Sequence, residues 1–471
     1  MLPWTAVDVA LLYPAMAGFH LGIKSHKSNL VSPNGTTSVM FTSYSLLTVV
    51  SLALSVAANP VVVRDSFVSL PMAKRFNFST SLKILEHDQA RARQLRAHAE
   101  HKLSGNTARA VISVAAVNEA VNYAVNVGVG TPATTFSLLV DTGSSNTWVG
   151  AGKAFVKTSS SVQTSDRVAV TYGSGDFSGT EFTDTVTLGN GLTITKQSIG
   201  VASESDGFSG VDGIIGIGPV DLTLDTLSPD TRSTIPTVTD NLFSQGIITS
   251  NLVAVSFEPT TSLTSTNGEL TFGGTDSSKF TGAITFTPIT TTSPASEFWG
   301  ISQSIKLGST NILSTTVGIV DTGTTLILLS TNGFNAYQRA TGAVQDNATG
   351  LLRLTTTQFA SLQSLSFLIG GTTFTLTANA QAWPRALNTA IGGNTNSVYL
   401  IVNSLGTPSG EGLDFINGQT FLERFYSVFG GFQIPSALMV LWLTVQILPP
   451  TDTANKRVGF ATTSFTTATT N

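Results

Sequence analysis

Between Ser81 and Leu103, apolar side chains such as Leu82, Leu85, Ala90 and Leu95 recur at helical spacing among many charges, whereas beyond residue 110 they come in short alternating runs. The first pattern predicts one amphipathic helix. The second predicts a mostly β body. Val168–Tyr172 and Phe182–Leu188 each alternate, and the glycines at 173 and 175 mark a turn between them. Helical patterns in the body are brief, at Thr239–Gln245 and Asn332–Thr341.

Two continuous apolar runs stand apart from both textures. Leu46–Val56, followed by Ala57 and Ala58, has the length of a signal-peptide core, and Ala437–Val445 has no place in a tight turn. Both are too short to span a bilayer as a helix. These boundaries divide the chain. Met40 is the expected true start, with residues 1–39 a gene-model extension, 40–58 a signal peptide, 59–109 a prosegment, 110–286 an N-terminal β lobe and 287–471 a C-terminal β lobe. No sharp linker marks the seam near 286.

Composition narrows the chemistry. Of the 471 residues 41% are apolar and 11% charged, enough for a large core, and no cysteine is present for a disulfide or a thiolate nucleophile. All five histidines lie before residue 103, which excludes a Ser-His-Asp triad and a His-ligated metal site in the body. Residues 110–471 hold 13 basic and 23 acidic side chains, a balance of −10, against 9 and 4, a balance of +5, in residues 59–109. The acidic body disfavours nucleic acid as a partner and suits its own basic prosegment as an intramolecular one.

Acid/base work therefore falls to carboxylates. The apolar run Phe136–Val140 delivers Asp141 to the turn Asp141-Thr-Gly-Ser-Ser-Asn-Thr-Trp148, and 180 residues later Gly318-Ile-Val320 delivers Asp321 to Asp321-Thr-Gly-Thr-Thr325. Each half also holds an apolar segment ending in Gly, at Asp212–Gly216 and Phe415–Gly418, where close backbone approach is expected. Two matched turns predict a carboxylate pair. At about 3 Å apart such a pair shares one proton and titrates as a unit. The ionised member can take a proton from water while the protonated one donates to a carbonyl oxygen, which predicts an acidic optimum. A glycosidase also uses two carboxylates, but at about 5 to 10 Å and rarely on matched turns.

With Val170-Thr-Tyr-Gly-Ser-Gly175 these motifs resemble the pepsin-like aspartic proteases, in their cysteine-free basidiomycete branch, over roughly residues 110–429 and 452–471. The resemblance implies two β lobes with a substrate cleft between them and one catalytic aspartate from each, Asp141 and Asp321. It implies a flap carrying Tyr172, Gly173 and Ser174 that binds substrate together with Gly143 and Gly323. Trp148 is expected to contact Tyr172 through its indole N–H, and Ser144 and Thr324 to hydrogen-bond the aspartates. The expectation is a secreted, monomeric acid endopeptidase that acts on proteins or peptides, made as a zymogen, with no cofactor, no metal and no stable membrane association.

The resemblance breaks between Phe425-Tyr-Ser-Val428 and Asp452–Ala461, where Gly430–Thr451 interrupts the last hairpin. That stretch is expected to be a retained intron or mis-annotated exon edge; the other reading is a membrane- or partner-docking loop, and a silent peptide-binding relative disabled by it is the alternative function. Asn347-Ala-Thr349 is the one glycosylation acceptor in the body, and Asn77-Phe-Ser79 lies in the prosegment.

Overall fold

The computed structural model describes residues 67–76, 83–104, 121–173, 175–189, 192–431 and 456–471. The start at Met40, the signal peptide, Asn77, the junction near Ala110, Ser174 and the Ala437–Val445 run lie outside them.

Alternation builds most of the molecule. A 14-stranded sheet runs from Thr281–Pro288 through Lys456–Thr462, Phe425–Gly431, Leu252–Ser256, Thr264–Phe272, Val68–Phe76, Val121–Val129 and Thr134–Asp141 to the flap hairpin Val162–Tyr172 and Gly175–Leu188. A seven-stranded sheet holds Gly300–Leu307, Thr310–Val320, Phe415–Asn417 and Ile327–Leu329 at its centre. Each sheet thus offers one candidate aspartate at the end of a strand. The fold is mostly β and bilobal, as the alternation and the repeat predict. Position 286 falls inside Thr281–Pro288, at the end of the large sheet.

Two elements before residue 110 join this body. The predicted helix spans Ile84–Ser104, and its buried side includes Leu85, Ala90, Ala92 and Leu95. That side also carries His87, Asp88 and Arg91, all buried, so it is no simple apolar stripe. The second element, Val68–Phe76, was not expected from the sequence. Its strand pairs with Thr264–Phe272 on one side and Val121–Val129 on the other, with Leu70, Met72 and Lys74 facing inward. Pro71 hides it, because proline in a central strand removes a ladder donor. Pairing to Val121–Val129 begins only at Met72, so Pro71 has no strand on that side to disappoint. Lys74 forms a buried ion pair with Glu423, which also accepts a hydrogen bond from the Tyr123 hydroxyl at 3.3 Å.

Among the described residues no helix is long and apolar enough to cross a membrane.

Candidate active site

Both candidate aspartates reach the centre by the same local construction. Thr134–Asp141 runs parallel to Gly213–Gly216, with Asp141 opposite Gly216, and Thr310–Val320 runs parallel to Phe415–Asn417, with Val320 opposite Asn417. The glycines that end the partner segments have no room for a side chain. A Cβ on Gly216 would lie 2.5 Å from the Ser145 carbonyl carbon, and one on Gly418 2.3 Å from the Leu326 oxygen. Close backbone approach is therefore what these glycines provide.

The two turns are then tied to each other. Thr142 N–H donates to Thr322 Oγ1 and Thr322 N–H to Thr142 Oγ1, each at 2.9 Å, while each hydroxyl donates onward to a carbonyl across the dyad, Val320 at 3.2 Å and Val140 at 2.9 Å. Four buried hydrogen bonds lock one turn against the other. Sequence reading did not single out either threonine, although both sit in the repeated motif 180 residues apart.

Within each turn the carboxylate is held by its own loop. Asp141 Oδ2 accepts from Ser144 Oγ at 2.6 Å and Oδ1 from Gly143 N–H at 2.9 Å; Asp321 Oδ2 accepts from Thr324 Oγ1 at 2.6 Å and Oδ1 from Gly323 N–H at 3.1 Å. The expected hydroxyl contacts are present in both halves. Both aspartates are fully buried.

Arg91, from the Ile84–Ser104 helix, lies between them. Its Nε and Nη2 donate to Asp321 Oδ2 at 2.6 Å and Oδ1 at 2.9 Å, and the same Nη2 donates to Asp141 Oδ1 at 2.5 Å. A guanidinium suits this task because its fork matches one carboxylate while a shared N–H bridges to the next. A Cβ on Gly143 would lie 2.5 Å from Nη2 and one on Gly323 2.3 Å from it, so the absent side chains of both turns are what admit the guanidinium.

The pair is electrostatically unequal. Burial pushes the Asp141 carboxyl above the usual carboxylate range, opposed by Arg91 and reinforced by the negative charge of Asp321. Burial would raise Asp321 too, but Arg91's charge and hydrogen bonding, with the Thr324 hydroxyl and the Gly323 N–H, together hold it below its ordinary value. One proton between two acids thus belongs on Asp141 while Arg91 is in place.

The flap closes over this centre. Tyr172 pairs with Gly175 across the hairpin and is buried against Trp148 and Phe208, with ring centroids 6.5 Å and 5.4 Å away. Burial, then the charge of Asp141, raises its phenol well above the ordinary tyrosine value. Trp148 itself stacks on Phe177 at 4.2 Å. Neither the indole N–H nor the phenol oxygen makes a close hydrogen bond among the described residues, but Trp148 and Ser144 lie near enough to offset part of the rise in the phenol. The helix occupies the space beneath the flap: Gln94 donates to the Thr171 carbonyl at 3.2 Å, and a Cβ on Gly173 would lie 1.9 Å from Arg91 Cα. Asp88 caps the far side, accepting from the N–H groups of Thr325 and Leu326 at 3.2 Å and 2.7 Å. Arg91 and Asp88 escaped sequence reading because their partners lie in sequence-distant turns; the signal present was only a basic helix ahead of an acidic body.

Residues 122–433 match the family model for eukaryotic aspartyl proteases. The chain belongs to this family. It is 69% identical to polyporopepsin of Irpex lacteus over 360 residues, covering 76% of this chain and 99% of that protein, and 31% identical to rhizopuspepsin-2 of Rhizopus niveus, covering 81% and 94%. The crystal structure of the aspartic proteinase from Irpex lacteus, 61% identical, superposes with a TM-score of 0.69, covering 86% of this chain and all of that one. The protein is accordingly an aspartic-type endopeptidase. Membership also removes the glycosidase reading, since the matched turns are the family's own. Among the described residues no cluster of three or more His, Cys, Asp or Glu is arranged to hold a metal.

Proposed function

We propose that this endopeptidase is secreted as a zymogen and acts in acid through Asp141 and Asp321, with its own residues 59–109 as the first ligand of its cleft. The observation that carries the reading is the buried Arg91 guanidinium, bonded to both carboxylates where a substrate carbonyl and a water would have to sit. Its release leaves the dyad with one proton. The ionised carboxylate takes a proton from a water, whose oxygen bonds to the peptide carbonyl carbon, while the protonated one donates to the carbonyl oxygen. Collapse of the tetrahedral adduct breaks the C–N bond as the nitrogen gains a proton. Neither step needs a histidine or cysteine.

Acid supports the release. Because Arg91 depresses Asp321, the stabilisation from that pair is complete above the ordinary carboxylate range and is lost as pH falls through the depressed value. Tyr172, Gly173 and Ser174 then serve as the flap over substrate, Gly143 and Gly323 line the floor, and Ser144, Thr324 and Trp148 support them. A peptide enters as an extended strand, the mode such a cleft accommodates. Asn347 is exposed and fits a glycan acceptor. The silent-relative reading gains no support, because the described residues of the C-terminal lobe complete the dyad and its bracing.

The test starts with full-length protein at neutral pH. Acidification is expected to shorten the chain toward Ala110 and to switch on cleavage of denatured protein, with neither change in Asp321→Asn. Full-length protein that cleaves at neutral pH would sink the zymogen reading, and an active Asp321→Asn would sink the dyad.

A further inference from the structure

The cleft does not end at the dyad. Leu222 and Phe298 line the cavity of about 30 Å³ left between the flap, Arg91 and the floor. Their chain neighbours Asp221 and Glu297 line a second cavity of about 340 Å³, a size at which pockets begin to accept ligands. Pro219, Ile289, Thr290, Thr291, Ser296 and Lys456 complete its walls. The same two segments therefore face the cleft with an apolar side chain and the outer cavity with a carboxylate. Asp221 sits in the short 3-10 turn Val220–Thr223, and Glu297 ends the one at Ala295–Glu297, just before the strand Gly300–Leu307, so both acids are fixed to the rim by backbone structure. Lys456 reaches the cavity from the start of the strand Lys456–Thr462, where its carbonyl accepts the Ile289 N–H at 3.3 Å.

We infer that this cavity is an outer specificity subsite, filled by a basic side chain of the peptide substrate a few residues from the cut on the Leu222 and Phe298 side. Resting on the endopeptidase reading of the cleft, it assigns Asp221 and Glu297 as the residues that select the side chain. An extended peptide lying past Leu222 and Phe298 has the outer cavity as the next space beside its path. Two carboxylates against one ammonium leave the walls net negative, which favours Lys or Arg over Asp or Glu. All three charged side chains are half-buried, so solvent screens them incompletely.

The experiment uses the acid-activated full chain and matched peptides in which one Lys, Ala or Glu is walked from two to five residues on either side of a fixed cut. At one outer position kcat/KM is expected to be roughly fivefold higher for Lys than for Glu, the range of partly exposed ion pairs. In the Asp221→Asn, Glu297→Gln double variant that ratio should fall to about one. Because the ratio is internal to each protein, it does not depend on how much of a variant folds. No position favouring Lys, a preference for Glu set by Lys456, or a Lys preference that survives in the double variant would each overturn the assignment. Failure of the cleft reading itself shows differently, as absence of Asp321-dependent cleavage of the Ala peptides.

Discussion

In the N-terminal half Asp141 is held by a serine hydroxyl and a glycine N–H; in the C-terminal half Asp321 is held by a threonine hydroxyl and a glycine N–H at closely similar distances. What differs is everything laid on top. Arg91 gives two hydrogen bonds to Asp321 and one to Asp141, Asp88 accepts two from the C-terminal turn, and the flap covers the centre from the N-terminal lobe. The lobes supply symmetry, and the helix that precedes them breaks it. Arg91, on that helix, thus helps to set the two carboxyls apart, Asp141 raised and Asp321 lowered.

Replacing either acid should have the largest effect. Asp321→Asn and Asp141→Asn are each expected to lower kcat/KM by roughly a thousandfold or more, within the range of lost acid/base catalysis and with the proton pair destroyed. The comparison predicts that the two variants part company before activation. Asp321→Asn removes the fork-shaped contact and should loosen the helix, read as faster proteolytic nicking of residues 83–104, while Asp141→Asn leaves that contact intact. Equal nicking in both would break the claimed asymmetry.

Next in size is the latch. Arg91→Ala leaves two buried carboxylates without their cation, a change of about 3–5 kcal/mol for a buried pair. Made in an Asp141→Asn background to prevent self-cleavage, where Asp321 is the one carboxylate of the pair left without its cation, it should lower stability at neutral pH and flatten the loss as pH falls below the ordinary carboxylate range, since the depressed Asp321 is the group whose protonation drives that loss. Urea unfolding across that range measures both. Arg91→Lys keeps the charge without the fork and should fall between.

The flap hairpin of the N-terminal lobe also buries a carboxyl, Glu181. Burial raises it to about 7, eased by the Ser198 hydroxyl and worsened by Asp166, and its Oε2 has no hydrogen-bond partner among the described residues. A raised acid contributes stability below its unfolded value near 4.5 and loses it as pH rises through 7. Glu181→Gln should therefore recover roughly 2–3 kcal/mol of stability at pH 8 and little at pH 4. Thermal melts at the two pH values decide it; equal gains at both would mean that packing, not ionisation, is responsible.

How legible all this was follows from range. The turns at Asp141 and Asp321 and the flap hairpin were readable because each is a contiguous motif whose chemistry is local, and the hydroxyl supports followed from the family resemblance those motifs carry. The brace through Thr142 and Thr322 was written in the same motifs, but it exists only once two lobes meet. Arg91 was unreadable as a ligand because its partners lie 50 and 230 positions away and nothing in a basic helix says which charge turns inward. Pro71 concealed the Val68–Phe76 strand by the very rule that usually identifies breaks.

The smallest effect is expected where the sequence looked most suspect. Phe425–Gly431 and Lys456–Thr462 pair in continuous antiparallel register, Phe425 opposite Thr462 through to Gly431 opposite Lys456. Among the described residues the last hairpin thus pairs along its full length, inside the 14-stranded sheet and up to the two ends that residues 432–455 connect. Joining Gly431 to Lys456 by a short Asn-Gly turn should keep the endopeptidase activity and change unfolding stability by about 2 kcal/mol at most, in the favourable direction, since a shorter connection lowers the closure cost. An inactive or unfolded deletion would show that residues 432–455 belong to the working C-terminal lobe and that its symmetry with the N-terminal one is incomplete without them.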